Sequence, residues 1–535
     1  MYNAMRTAVL LALFGVLLTA CGGGGMAPVA AVSSNASPSS TTDTSDSESP
    51  GQGSGVPIPA GQIDRAVSQL DAMAADIMAR TGIPGMAVAV VHGGQTVYAK
   101  GFGVRAAGNP ALVDADTVFQ LASMSKSIGA TVVAQQVGAG RVKWDTPVQA
   151  NLPSFSLADP YISEKMTIGD LYSHRSGLPS HAGDKLEDLG YDRTQVLNRL
   201  RYSPLTPFRV TYAYTNFGLT AAAESVAIAA GVDWATLSEQ SIYHPLGMNS
   251  TSSRFADYQA RPNRAVGHVK VNGSFVVGVA REPDAQSPAG GVTSSVNDVA
   301  KWLAFLLANG SVGGRQLVDA SALQPATSPQ IVSIPSSSMD ERSGFYGYGF
   351  NVSTSAAGRM MISHSGAFAL GAATAFTAIP SADVAIVVLT NAAPYGIPET
   401  LTAQFADLVQ FGRMERDWEA FFTKAFAPFL TPEGSLVGVA KPVSPAPAKV
   451  LSSYVGIYQN DYYGPLQVVN NQGSLELRLG PKPMTYPLSH WDGDVFTFTL
   501  NNENAPPGTI SKASFSSGKV VLEYFDDGGL GTFVR

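Results

Sequence analysis

Cys21 is the single cysteine of this 535-residue chain, so no internal disulfide staples the fold and no cysteine pair holds a metal. Metal-ligand spacing is missing elsewhere too. There is no H-E-x-x-H run, and His92, His181, His244, His268 and His490 fall at no ligand interval. A G-x-S-x-G elbow is absent, which excludes the α/β-hydrolase way of presenting a serine. No P-loop occurs, and Gly101-Phe102-Gly103 is too short for a dinucleotide fingerprint. No cofactor is therefore implied. Positive charge is not in excess either: the formal net charge is −7, and nucleic acid is not an expected partner.

What the chain does contain is a serine and a lysine one helical turn apart. Ser123-Met124-Ser125-Lys126 follows Phe119-Gln120-Leu121-Ala122, where an extended apolar run gives way to a helix. A serine at a helix start gains from the positive end of the macrodipole. Lys126, three residues on, returns to the same face. In a closed cleft its ammonium loses a proton more easily and can then act as a base. The spacing alone is not specific. Ser516-Ser517-Gly518-Lys519 has it and reads as a turn between strands, and Ser123 by itself reads equally as a helix N-cap. Two later elements raise its weight: Tyr214-Thr215-Asn216, and His364-Ser365-Gly366-Ala367 after the apolar Met360-Met361-Ile362.

Serine, then Tyr-x-Asn, then a Lys- or His-x-Gly strand is the order of the penicillin-recognising serine hydrolases. The chain resembles the group of class C β-lactamases, DD-peptidases and family VIII esterases. Between the motifs the likeness continues through Thr167 to Pro179, Pro245-Leu246-Gly247-Met248, Pro288 to Ser295 with Asp298-Val299-Ala300, and Tyr346-Gly347-Tyr348-Gly349-Phe350. The resemblance implies an α+β fold, an antiparallel sheet with helices on both faces plus an all-helical subdomain. Ser123 would be the nucleophile, and Lys126 and Tyr214 the candidates for taking its proton as one coupled unit. Asn216 would bond the substrate amide or position Lys126. The oxyanion hole would be the backbone N–H groups of Ser123 and Ala367, beside Gly366 on the same strand. His364 departs from the β-lactamase lysine. Histidine titrates near 6.5, so His364 is expected to steady the serine or to meet a substrate carboxylate when protonated; a purely structural strand-end histidine is the alternative.

The ends carry other signals. Residues 1–21 read as a lipoprotein signal: Arg6, the apolar Ala8 to Leu18, too short to span a bilayer comfortably, then the lipobox Leu18-Thr19-Ala20-Cys21. A plain secretory signal is the alternative. Residues 22–58, rich in Ser, Thr, Asp and Pro, read as a disordered tether. The hydrolase domain is placed at 59–425, a Pro-rich linker at 426–448, and a small all-β domain resembling a lipocalin-like barrel at 449–535. Within the hydrolase domain an amphipathic helix is expected over 62–81, and hairpins over 86–102 and 372–390. His490 to Asp494 reads as a turn.

The expected protein is a lipid-anchored serine hydrolase of the bacterial cell envelope, working through an acyl-serine. Small or unusual peptides, D-residue-containing or linearised from cycles, come first as substrates, then carboxylic esters, then β-lactams. A catalytically silent penicillin-binding sensor is the reading from another class. The remaining expected partners are the membrane, through Cys21, and other copies of the chain, through the C-terminal domain.

Overall fold

The structure, a computed structural model, describes residues 54–535. The expected signal peptide, Cys21 and the tether up to residue 53 lie outside the described residues; residues 54–58, expected in the tether, lie on the folded domain instead, where Arg359 donates to the Val56 carbonyl and Ile58 packs on the core. Eight strands form one antiparallel sheet: β1 Gly85–His92, β2 Gln95–Gly103, β3 Ile331–Ile334, β4 Gly344–Tyr346, β5 Asn351–Thr354, β6 Met360–Phe368, β7 Ala372–Ile379 and β8 Val384–Thr390. Their order in the sheet is β2-β1-β8-β7-β6-β5-β4-β3. N- and C-terminal hairpins thus meet at the β1–β8 pairing, where Val88 faces Val388. Both hairpins fall where the apolar runs and turn residues put them. Gly93 and Gly94 take the first turn at φ 61° and 71°, a conformation that side chains with a Cβ resist.

Side chains alternate across a strand, and β1 uses both faces. Val88 and Val90 pack on one side with Leu70, Ile77, Leu401 and Phe405. These come from α1 Gln62–Ser68, α2 Leu70–Thr81 and α8 Ile397–Phe411. Ala87, Ala89 and Val91 pack on the other side, with Val299, Trp302 and Leu303 of α7 Val296–Leu307. Each such large apolar side chain contributes about 1.5–3 kcal/mol on full burial. The helix expected over 62–81 is two helices, separated at Gln69.

Between β2 and β3 lies the helical region. It contains α3 Ser125–Gly138, α4 Ile168–Tyr172, α5 Asp184–Asp188 and α6 Asn216–Ala230. Residues 125–134 of α3 are all buried. A helix enclosed on every side needs no polar face, which is why its Ser-Ile-Gly-Ala-Thr-Val-Val-Ala sequence shows no stripe. Its N-terminal end carries the serine–lysine pair to the edge of β6.

Nine further strands form the C-terminal part, in two antiparallel sheets: β9 Gly456–Tyr458 through β12 Met484–Pro487, and β13 Ser489–Asp492 through β17 Thr532–Val534. An antiparallel bridge between Gln459 and Val534 joins the first sheet to the last strand. Ser517 and Gly518 do turn between two strands, Thr509–Ser516 and Lys519–Leu522. His490, Trp491 and Asp492 belong to β13, so the expected turn there shortens to Gly493 and Asp494. The strands do not stand apart from the rest. Leu186, Leu189 and Tyr191 share one core with Tyr463, Leu477 and Tyr486, and Tyr191 donates its hydroxyl to the Tyr463 carbonyl at 2.8 Å.

One buried carboxylate ties the helical region together. Asp170 completes a capping box with Thr167 at the start of α4 and pairs with Arg175 and Arg209, both at 2.8 Å. Burial pushes its carboxyl up, but hydrogen bonds from Arg209, Arg175 and Thr167 outweigh burial and hold its pKa below the usual carboxylate value. A depressed folded-state pKa gives stability that is present above the unfolded value, about 3.9, and lost as pH falls through the folded one. Asp170→Asn is expected to cost about 3 kcal/mol at neutral pH. The loss should shrink toward pH 3. Urea unfolding at both pH values measures it, and an equal loss at both would contradict the linkage.

Candidate active site

Ser123 sits in a tight turn, Ala122–Met124, that runs straight into α3. The turn is braced from several sides. Leu121 N donates to the Val292 carbonyl at 2.9 Å. Ser125 Oγ donates to the Ala122 carbonyl at 2.6 Å and accepts from Val292 N at 2.9 Å. Ala122 holds φ at 47°, a left-handed conformation that costs a residue with a Cβ about 1–3 kcal/mol. That strain falls on the residue just before the serine.

β6 lies directly against this turn. A Cβ on Gly366 would come within 2.0 Å of the Leu121 carbonyl oxygen, so only glycine lets the strand approach. Thr374 Oγ1 donates to the same carbonyl at 2.8 Å. The glycine of the His-x-Gly element therefore has a steric reason, and Ala367, next along, lines the cleft together with Ser123.

Lys126 is wholly buried. Its Nζ donates to Ser123 Oγ at 3.0 Å, to Asn216 Oδ1 at 2.7 Å and to the Ala289 carbonyl at 2.9 Å. Burial lowers its pKa to about 7, against an opposing pull from Asp184. Tyr214 lies beside it, with the ammonium 4.6 Å from the ring centroid. Burial raises the Tyr214 pKa above its ordinary value of 10, and its hydroxyl hydrogen-bonds to Ser123. The phenol therefore stays protonated at neutral pH while the amine does not have to. Asn216 opens α6, with Thr215 at the N-cap, and its amide is engaged by Lys126 on one side and Asp184 on the other.

His364 is where the sequence expectation and the geometry part. The ring is 1 % exposed. Nδ1 donates to the Ser365 carbonyl at 2.6 Å and Nε2 accepts from the Tyr346 hydroxyl at 2.8 Å. Burial first, and then the nearby Lys126 ammonium, lower its pKa to about 3. A neutral ring is not the cation expected to meet a carboxylate. Matched substrates with and without a free carboxylate should therefore give the same pH profile of kcat/KM between about pH 5 and 9. A divergence centred near the free imidazole value of about 6.5 would contradict this.

His174, inside the Thr167 to Pro179 segment, accepts a hydrogen bond from Thr215 N at 3.2 Å. It packs on the rings of Tyr212, Tyr214 and Tyr346. The residues that sequence reasoning missed are Tyr346, His181 and Asp184. Tyr346 stood inside a quoted segment without a role. His181 and Asp184 follow the Thr167 to Pro179 segment almost directly, and nothing in their own spacing marked them.

The cleft holds about 520 Å³, and its walls come from both parts of the chain. Glu503, Asn504 and Asp527 enter from loops and a turn between the C-terminal strands and Phe429 from the segment before them. Glu503 accepts from Ala369 N at 2.8 Å and Leu370 N at 3.2 Å, just past the end of β6. Arg281 is buried in the same wall and pairs with Glu187. Such a site can bind a polar acyl compound, pass the serine proton to an amine, and hold a phenol hydroxyl beside the reacting oxygen.

A family model described as Beta-lactamase matches residues 70–410. A second, described as a domain of unknown function, DUF3471, matches residues 440–524. Among curated relatives, the "Unguisins hydrolase ungD'" of Aspergillus campestris (strain IBT 28561) is 31% identical over 241 residues, 43% of this chain and 45% of that protein. The "Unguisins hydrolase ungD" of Aspergillus violaceofuscus (strain CBS 115571) is 25% identical over 471 residues, 78% of this chain and 80% of that protein. The match thus spans less than half of the first relative and most of the second. A solved octameric penicillin-binding protein homologue from Pyrococcus abyssi shares the fold, with a TM-score of 0.59 at 20% identity over 88% of this chain and 100% of that one.

Proposed function

The chain belongs to the beta-lactamase family, and from that premise we propose that it hydrolyses amide bonds of small peptides through an acyl intermediate on Ser123. The observation that carries the reading is the buried Lys126 amine, 3.0 Å from Ser123 Oγ, with a pKa brought to about 7. In its neutral form the amine takes the Ser123 proton as Oγ attacks the carbonyl carbon. The carbonyl oxygen becomes an oxyanion facing the N–H groups of Ser123 and Ala367. One such donor is worth about 3 kcal/mol of barrier. Collapse breaks the C–N bond, and the leaving nitrogen takes a proton from the Lys126–Tyr214 pair. Water then attacks the acyl-serine, gives its proton to Lys126, and releases the acid with Ser123 restored.

Peptide is preferred to ester because the cleft walls carry charged and amide groups, among them Arg281, Glu503 and Asn504, suited to a polar chain with several carbonyls and N–H groups. The relatives named as unguisins hydrolases support hydrolysis. A neutral His364 disfavours β-lactams, whose carboxylate asks for a cation. A panel of peptide p-nitroanilides, p-nitrophenyl esters and a chromogenic cephalosporin tests the order. Esters turned over at a higher kcat/KM than every anilide would replace the peptidase reading with an esterase.

We also propose that Cys21 carries a lipid and that the residues between it and the folded domain tether the enzyme to the envelope membrane. The lipobox Leu18-Thr19-Ala20-Cys21 supports this. Several acyl chains, at about 0.8 kcal/mol per buried CH₂, make a firm anchor. Cys21→Ala is expected to move the protein from the salt-washed membrane pellet to the soluble fraction. A variant that still pellets would refute the anchor.

A further inference from the structure

A carboxylate that the mechanism above does not use stands behind its base. Asp184 opens α5 and is 3 % exposed. Its Oδ2 accepts from Asn216 Nδ2 at 2.9 Å and from His181 Nδ1 at 2.9 Å. The other end of the same amide, Asn216 Oδ1, accepts from Lys126 Nζ at 2.7 Å. A carboxylate only accepts. Facing Asp184, the amide must present its NH₂ there and its oxygen to Lys126. Among the described residues Asp184 Oδ1 is buried with no hydrogen-bond partner, so none of them adds a further donor to spread its charge. In a site of low dielectric that charge acts strongly on its neighbours.

The segment that carries Asp184 is held from two directions. His181 N donates to the Tyr214 carbonyl at 2.8 Å. Gly183 N donates to the hydroxyl of Tyr462, in the turn after β9, at 2.9 Å. Asn504, also C-terminal, donates to Asp188 Oδ2 at 2.8 Å on the same helix.

We propose that Asp184 is a positioning residue: it fixes the orientation of the Asn216 amide and electrostatically holds the Lys126 ammonium, with its own place secured by the C-terminal residues Tyr462 and Asn504. The proposal rests on the reading of Ser123 and Lys126 as the acylating pair. The groups that face Lys126 are Ser123 from its own turn, Tyr214 and Asn216 from the start of α6, the Ala289 carbonyl, His174 after α4, His364 from β6 and Asp184 from α5. Burial keeps His174 and His364 neutral and Tyr214 protonated. Asp184 is therefore the anion of the set, and its pull opposes the effect of burial on Lys126.

The test is the pH dependence of the rate at which a fluorophosphonate labels the full-length enzyme. Wild type should show an acid limb, with labelling lost as Lys126 gains its proton. Asp184→Asn keeps an acceptor for Asn216 and removes the charge, so the limb should move to lower pH by about one unit. Asp184→Ala should move it the same way and also slow labelling 10-fold or more, because the amide loses its acceptor. His181→Ala, at a residue a third exposed, should keep the limb and move it upward, since Oδ2 loses a donor and its charge falls more fully on Lys126. This variant decides the matter if neither Asp184 variant folds. A limb unmoved in folded Asp184→Asn, or one that fails to rise or disappears in His181→Ala, overturns the proposal. A wild type that is not labelled on Ser123 removes the premise instead, a result distinct from an unmoved limb.

Discussion

Ser123→Ala is expected to lower kcat/KM by 10³-fold or more, to about the residual rate that binding and the oxyanion donors alone provide. Folding should be untouched. The serine is only partly buried, and the turn that holds it is braced by Leu121, Ser125 and Thr374 through bonds that do not involve its hydroxyl. The substitution removes one acceptor of Lys126 and leaves two, Asn216 Oδ1 and the Ala289 carbonyl. The melting temperature should therefore stay within about 4 °C of wild type, roughly the shift that 1 kcal/mol makes in a domain of this class. Steady-state kinetics beside a thermal scan measures both. Turnover retained within 10-fold would mean that another group attacks the carbonyl.

The second large effect is at Lys126. Lys126→Met keeps the length and apolar character of the side chain and removes the base. A loss of about 10³-fold or more in the acylation rate is expected, together with the disappearance of the acid limb. The linkage has a definite sign. The folded-state pKa lies near 7, below the unfolded value of about 10.4. Between those values the unfolded chain binds the proton and the folded one does not, so the native lysine lowers stability as pH falls from about 10 to 7. Below that window the penalty is complete. Methionine removes it, which offsets the donors lost to Asn216 and Ala289. The denaturant midpoint of wild type should thus rise relative to that of Lys126→Met between pH 6 and pH 10. A difference that does not vary with pH would mean that Lys126 keeps an ordinary pKa, and an enzyme that stays fast would mean that another group is the base.

Much of this site could be read before any coordinates because its parts sit at fixed local spacing. Ser123 and Lys126 are one turn apart on a helix, and Tyr214 and Asn216 flank a helix start. The hairpins at 85–103 and 372–390 were legible from apolar runs closed by Gly93-Gly94 and by Pro380 to Asp383. What escaped depends on long-range packing. Asp184 meets Asn216 across 32 residues, and no periodicity connects them. The charge state of His364 is set by burial and by the nearby Lys126, neither of which the motif H-x-G encodes. The choice between Lys126 and Tyr214 as base was open for the same reason. Burial moves the amine pKa down and the phenol pKa up, and burial is a property of the folded site. The break at Gln69 was hidden because apolar spacing continues across it. The reach of Glu503 and Asn504 into the cleft was also invisible, since the module that carries them reads alone as short strands with no site of their own.

On the proposed mechanism an acyl group forms on Ser123 when Lys126 is neutral. Mass spectrometry of the fluorophosphonate-treated full-length enzyme, with the adduct mapped by proteolysis at pH 5 and at pH 8, tests it most directly. The account predicts one adduct, on the peptide that contains Ser123, abundant at pH 8 and scarce at pH 5 after the same exposure. An adduct on Ser365 or Ser176, or equal labelling at the two pH values, would contradict it.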